Sequence, residues 1–85
     1  MFEVIWEKNA VKDLRALDKS VAKRIIDKVE TYLRVDPVNI GKPLGNKFSG
    51  LFSFRFNNYR VIYNIKRDQL IIRVIKVGHR KDVYE

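Results

Sequence analysis

The spacing of apolar residues changes once along this chain, and that change limits the fold more than any other feature. Up to Val35 they recur at three- and four-residue steps, as Val11, Leu14, Leu17, Val21, Ile25, Val29 and then Tyr32 or Leu33. From Leu51 the repeat is two: Leu51-Phe52-Ser53-Phe54-Arg55-Phe56 puts three phenylalanines on one side and Ser53 and Arg55 on the other. A helix buries a stripe of period 3.6 and a half-buried strand buries one side of a period of two, so helices come first and a sheet second.

Punctuation divides these two halves. Asp18-Lys19-Ser20 interrupts the stripe with cap-forming residues, which predicts two helices, roughly Lys8 to Leu17 and Lys19 to Val35. Asp36-Pro37 closes the second, because the residue before proline avoids the helical region. Pro37 to Gly50 holds both prolines and three of the four glycines and reads as a flexible loop. Ahead of the helices, the β-branched and aromatic run Phe2 to Glu7 predicts a strand. After Phe56, Asn57-Asn58 suits a two-residue turn, Tyr59 to Ile65 a second strand, Lys66 to Gln69 a turn, and Leu70 to Val77 a third strand. The expected fold is one α+β domain over residues 1–85: an N-terminal strand, a helical hairpin on one side of the sheet, then a three-stranded antiparallel meander. The first strand would join at an edge or beside the centre.

Composition narrows the function. With no Cys and one His, neither a disulfide framework nor a thiolate or histidine metal cluster is available. No apolar run approaches the ~20 residues that cross a bilayer, and Met1-Phe2-Glu3-Val4 does not open a secretory signal, so no membrane and a cytoplasmic location are expected. The net charge is +8, and it is uneven: +2 from Met1 to Lys42 and +6 from Pro43 to Glu85. A polyanion partner, nucleic acid or an acidic protein, fits that balance, and the sheet half is where it would bind.

Several chemistries lack their residues. Gly41-Lys42-Pro43-Leu44-Gly45-Asn46-Lys47 fails the P-loop spacing, no serine sits in a Gly-x-Ser-x-Gly elbow, and the carboxylates are scattered over helix surfaces. The cations are better placed. Arg55, Arg60, Arg73 and Lys76 fall in predicted strands, and Val77-Gly78-His79-Arg80-Lys81 leaves the last one. A planar guanidinium donates in pairs to phosphate and keeps its charge when partly buried, whereas the plain alternative is a solvated face that guards a sheet edge. Arg60 stands out, since it lies within Tyr59 to Ile62, a strongly strand-forming run in which an idle cation is costly to desolvate. His79 reads either as a surface residue or as a proton carrier between cations. Tyr84 could pack, stack on a base or transfer a proton.

Element order, together with Tyr59-Arg60-Val61-Ile62-Tyr63, Val77-Gly78-His79-Arg80-Lys81-Asp82-Val83-Tyr84 and the loop Asn46 to Phe52, resembles the RelE/ParE superfamily of toxin–antitoxin toxins, on its RelE side, over nearly the whole chain. The resemblance implies a RelE-like, microbial-RNase-like fold and a ribosome-dependent endoribonuclease that cuts messenger RNA. It places Arg60 at the scissile phosphate, Arg80 near the leaving group and Tyr84 on the substrate base, with Lys47, Ser53, Arg55 and Lys81 along the RNA. Two departures stand beside it. The step from Arg80 to Tyr84 is shorter than in the best-known bacterial member, and Ser53 and Arg55 stand where that member has two lysines, one of them proposed as general base. Arginine is a poor base. His79 is the first choice for that role, with Tyr84, Lys47 or positioning alone as alternatives.

The implied reaction needs neither metal nor cofactor: the ribose 2′-hydroxyl loses its proton, attacks the adjacent phosphorus and leaves a cyclic phosphate. The implied partners are a cognate RelB-like antitoxin, on which any higher assembly would depend, and the ribosome with its message. Two other readings share the sequence: a ParE-like inhibitor of DNA gyrase, and a non-catalytic RNA- or ribosome-binding module explained by charge alone.

Overall fold

The computed structural model describes residues 1–83. Strand β1 (Glu3–Trp6) leads into helices α1 (Lys8–Arg15) and α2 (Lys19–Thr31), and a 3₁₀ turn at Leu33–Val35 ends the helical half. A short helix α3 (Pro37–Ile40), a two-residue strand β2 (Lys42–Pro43) and a 3₁₀ turn at Asn46–Phe48 follow. Strands β3 (Phe52–Phe56), β4 (Tyr59–Lys66) and β5 (Ile71–His79) and helix α4 (Arg80–Val83) complete it. Among the described residues no helix is long and apolar enough to cross a membrane.

The α+β order and the helical hairpin are as expected, but the sheet is larger than a three-stranded meander. Five strands lie in the order β1-β5-β4-β3-β2. β1 takes the edge beside β5 and runs parallel to it, with Glu3 opposite Ile71 and Trp6 opposite Val74. The opposite edge is β2, part of the predicted flexible loop: Lys42 pairs with Ser53 and Pro43 with Phe52. Proline is tolerated there because one side of an edge strand needs no ladder donor. The same loop is anchored through the Tyr63 hydroxyl, which donates to the Pro37 carbonyl at 2.6 Å. Gly41 passes so close to that phenol that a Cβ would overlap it.

The helices cover one face of the sheet. Ile25, Val29 and Leu33, at four-residue steps, are fully buried against Val61, Tyr63, Ile72 and Val74. Phe54 belongs to that core, and Phe52 and Phe56 pack at its rim, as the alternation of β3 predicts. At roughly 25 cal/mol per Å², burying an aliphatic side chain of this kind stabilises by about 2 kcal/mol. The second helix is shorter than its stripe: it stops at Thr31, and the 3₁₀ turn that follows carries Leu33 into the core. Asn57 turns the β3–β4 hairpin at φ 53°, a conformation that Asn tolerates.

One irregularity has no counterpart in the sequence reading. Tyr63 pairs with Val74 but Ile62 pairs with Lys76, so Ile75 is an extra residue in β5. Such a bulge reverses which residues face which side. Before it, Ile72 and Val74 point into the core; after it, Val77 does.

Candidate functional site

The uncovered face of the sheet carries the cations, and the ladder register puts them in rows. Arg55 on β3 lies directly opposite Arg60 on β4, and Arg60 lies opposite Gly78 on β5. Like charges placed across a strand pair are destabilising in the absence of an anion. Among the described residues neither guanidinium meets a carboxylate: Arg55 Nε donates to the Asn57 carbonyl at 3.3 Å, and Arg60 Nη1 to the Tyr59 carbonyl at 3.2 Å. Each is held by backbone at the β3–β4 turn with the rest of its fork unused among the described residues, an arrangement that accommodates a phosphate. Arg73, by contrast, is paired with Glu7 at 3.5 Å.

Lys76 joins this face only because of the bulge. In a regular strand residues three apart point to opposite sides, so Arg73 and Lys76 could not share one. The extra residue at Ile75 brings Lys76 opposite Ile62, on the uncovered side. Sequence alternation therefore passes over Lys76, and the one hint available is the pair of cations three apart inside an apolar run.

Arg80 is brought to the same corner. Its amide donates to the Asn58 carbonyl at 2.9 Å, which ties the start of α4 to the β3–β4 turn, two residues from Arg60. α4 then lies close on the sheet. Val83 is 3% exposed, and a Cβ on Gly78 would approach Val83 Cγ1 to 3.2 Å, so the missing side chain at Gly78 lets the helix sit down beside Arg60. Ile62, 4% exposed, is buried on this side of the sheet.

The other sequence-derived candidates divide. Lys81 is exposed on α4. Lys47 is exposed in the 3₁₀ turn ahead of β3, its ammonium 5.3 Å from the Phe48 ring centre. Ser53 shares the face of Arg55 but is only 8% exposed and presents little surface to a ligand. Tyr84 lies outside the described residues.

His79 is not on the face of Arg60. It pairs with Tyr59, whose ring packs at the core rim, and the two rings meet edge-on with centres 5.7 Å apart. The cause is again the bulge, which turns Val77 and His79 toward the helix side and leaves Lys76 and Gly78 on the other. His79 borders a cavity of about 290 Å³ that Asp13, Leu17, Tyr59 and Asp82 also line. Its imidazole therefore approaches the arginine pair only around the end of the sheet. The second tyrosine of the Tyr59 to Tyr63 motif is structural: burial, then the nearby Asp36 carboxylate, push the Tyr63 phenol well above the ordinary tyrosine range.

A model of the family described as the ParE toxin of a type II toxin–antitoxin system, parDE, matches residues 4–84. The toxin RelG of Mycobacterium tuberculosis is 29% identical over 83 residues, covering 98% of this chain and 95% of the relative. The toxin RelE of the same organism is 31% identical over 83 residues, covering 98% and 86%. The fold is similar to a chain of the toxin–antitoxin complex RelBE2 from Mycobacterium tuberculosis, with a TM-score of 0.89 and 28% identity over 93% of this chain and 98% of that one. It is also similar to a chain of the archaeal RelE–RelB complex from Pyrococcus horikoshii, with a TM-score of 0.72 and 26% identity over 96% and 98%. A sheet with one helix-covered and one cationic face, matched from end to end in both sequence and structure, places the chain in the RelE/ParE superfamily of type II toxin–antitoxin toxins.

Proposed function

We propose that this toxin is a metal-independent endoribonuclease that cuts messenger RNA on the ribosome and is silenced by a RelB-like antitoxin. The observation that carries the reading is the Arg55–Arg60 cross-strand pair, two arginines at directly opposed positions of adjacent strands, neither paired with a carboxylate among the described residues. Phosphodiester cleavage by a 2′-hydroxyl concentrates negative charge on the phosphorus oxygens. Two arginines fixed by backbone hydrogen bonds can stabilise that charge with little reorganisation, a contribution of up to several kcal/mol. Arg80, at the same corner, is suited to the departing 5′-oxygen. Gly78 lets α4 pack close beside Arg60, which keeps Arg80 at that corner.

The proton acceptor is the weaker part of the arrangement. His79, turned to the helix side, reaches the attacking hydroxyl only if the RNA wraps the end of β4 and β5. Cleavage therefore depends chiefly on positioning and electrostatics, with the ribosome aligning the message and supplying much of the proximity effect. Free RNA is cut poorly. The +8 charge suits both the RNA and an acidic antitoxin segment that folds as it binds.

A second reading, a ParE-like inhibitor of DNA gyrase, is favoured by the match to the ParE toxin family. One experiment separates them. Purified protein is added to translating ribosomes, with 5′-end mapping of the message, and in parallel to DNA gyrase with supercoiled plasmid. Codon-spaced message ends without gyrase-linked DNA breaks are expected; DNA breaks with intact message overturn the proposal.

A further inference from the structure

β5 has two neighbours only as far as Val74. β1 ends at Trp6, opposite Val74, and the Glu7 amide makes the last backbone–backbone hydrogen bond on that side, to the Val74 carbonyl at 2.9 Å. From Ile75 to His79 the strand is still paired to β4, but among the described residues its other edge has no strand beside it. That unaccompanied stretch starts at the bulge and ends at the corner where Gly78 lies opposite Arg60 and Arg80 reaches Asn58. A bulged strand end held from one side has freedom to twist away.

A carboxylate takes the place of the missing strand. Asp13, in the last turn of α1, accepts a hydrogen bond from the Val77 amide through Oδ2 at 2.9 Å. The bond is charge-assisted, and it meets Val77, which is 3% exposed, two residues past the bulge. α1 is itself fixed to the sheet through Ala10 and Leu14, both in the core, so the acceptor rides on a rigid support. Asp13 also lines the cavity beneath His79. Surface salt bridging does not explain it, because no cation is paired with it among the described residues.

We propose that Asp13 is a positioning residue of the phosphate site: it holds the far end of β5 in the bulged register that presents Lys76 and Gly78 beside the arginine pair and delivers Arg80 to the β3–β4 turn. The inference rests on the reading of that face as a phosphate grip. Asp13 touches no reacting atom, so its effect appears in rate and not in ribosome affinity.

The test compares Asp13→Ala with Asp13→Asn, which keeps an acceptor oxygen, in the full chain. Amide exchange and chemical shifts are followed by NMR, and single-turnover cleavage is followed on programmed ribosomes. In Asp13→Ala, exchange at Val77 rises about tenfold or more while Val61 and Ile72 stay protected, and the amide signals of Gly78, Arg60 and Arg80 move. Cleavage slows roughly tenfold with half-saturating ribosome concentration unchanged, Asp13→Asn recovers most of the rate, and adding Asp13→Ala to Arg60→Ala slows it little further. A folded Asp13→Ala protein that cuts at the wild-type rate overturns the proposal, as does an unchanged Val77 amide. If wild-type protein cuts no message at all, the function reading fails separately. Movement of the Gly78, Arg60 and Arg80 signals then supports the positioning role, and a change confined to Val77 refutes it.

Discussion

The two faces of the sheet are built from the same strands and follow different rules. On the covered side Val61, Tyr63, Ile72 and Val74 are all fully buried under the helices. On the open side the intervening residues of β4 are Arg60, Ile62 and Asn64, and β5 adds Arg73 and Lys76. The hydrophobic effect accounts for the first set, since each side chain leaves water without losing a polar partner. It accounts for Ile62, 4% exposed, but gives no reason for the polar and charged residues around it. There Asn64 buries an Oδ1 that accepts no hydrogen bond among the described residues, and two arginines face each other. If the open face is the proposed phosphate site, stability and function are separated by one step of the pleat, and substitutions on the two sides should report on different properties.

The largest effect is expected on the covered face. Ile72→Ala should lower unfolding free energy by about 3 kcal/mol in urea denaturation, through lost burial and a residual cavity. Nearly wild-type stability would mean that the helices do not cover this side. Arg55→Ala, on the open face of β3, should change stability by less than about 0.5 kcal/mol yet slow cleavage on ribosomes about tenfold. An equal loss of both properties would remove the distinction between faces.

Tyr63→Phe tests the anchor of the edge segment. Loss of the donor to Pro37 should cost about 1 kcal/mol. The wild-type phenol, raised by burial and then by Asp36, binds its proton more tightly in the folded state than in the unfolded chain. Its contribution is therefore complete below pH ~10, the unfolded value, and is lost as pH rises above it. The Phe variant should lack that part of the alkaline decline in a pH series of melting curves. The smallest change is a gain: Asn64→Val removes the orphaned oxygen and should raise stability by up to about 1 kcal/mol in urea.

The covered face can be read from residue order because burial imposes a period. Ile25, Val29 and Leu33 announce a helix, Phe52, Phe54 and Phe56 a strand, and Asn57 a turn, each through local preference alone. The open face imposes no period, so its errors gather there and at the edges. Nothing in Lys42-Pro43 marks a strand, because two residues supply too little pattern. Ile75 looks like any other member of an apolar run, and its role as the extra residue depends on register with β4. That single misfit moved His79 from the side of Arg60 to the side of Tyr59 and brought Lys76 in its place. Arg55 and Arg60 can be singled out from the sequence as cations inside strand-forming runs and Arg80 as a cation just after one, whereas Asp13 reads as one more helix-surface acid until its oxygen is seen on the Val77 amide.

Arg60→Ala, assayed by single-turnover cleavage of a message on programmed ribosomes at saturating protein, tests the central claim most directly. A phosphate held by the Arg55–Arg60 pair predicts a loss of about 10²-fold or more in rate, with the melting temperature and ribosome binding nearly unchanged. Cleavage at the wild-type rate by a folded Arg60→Ala protein would contradict it.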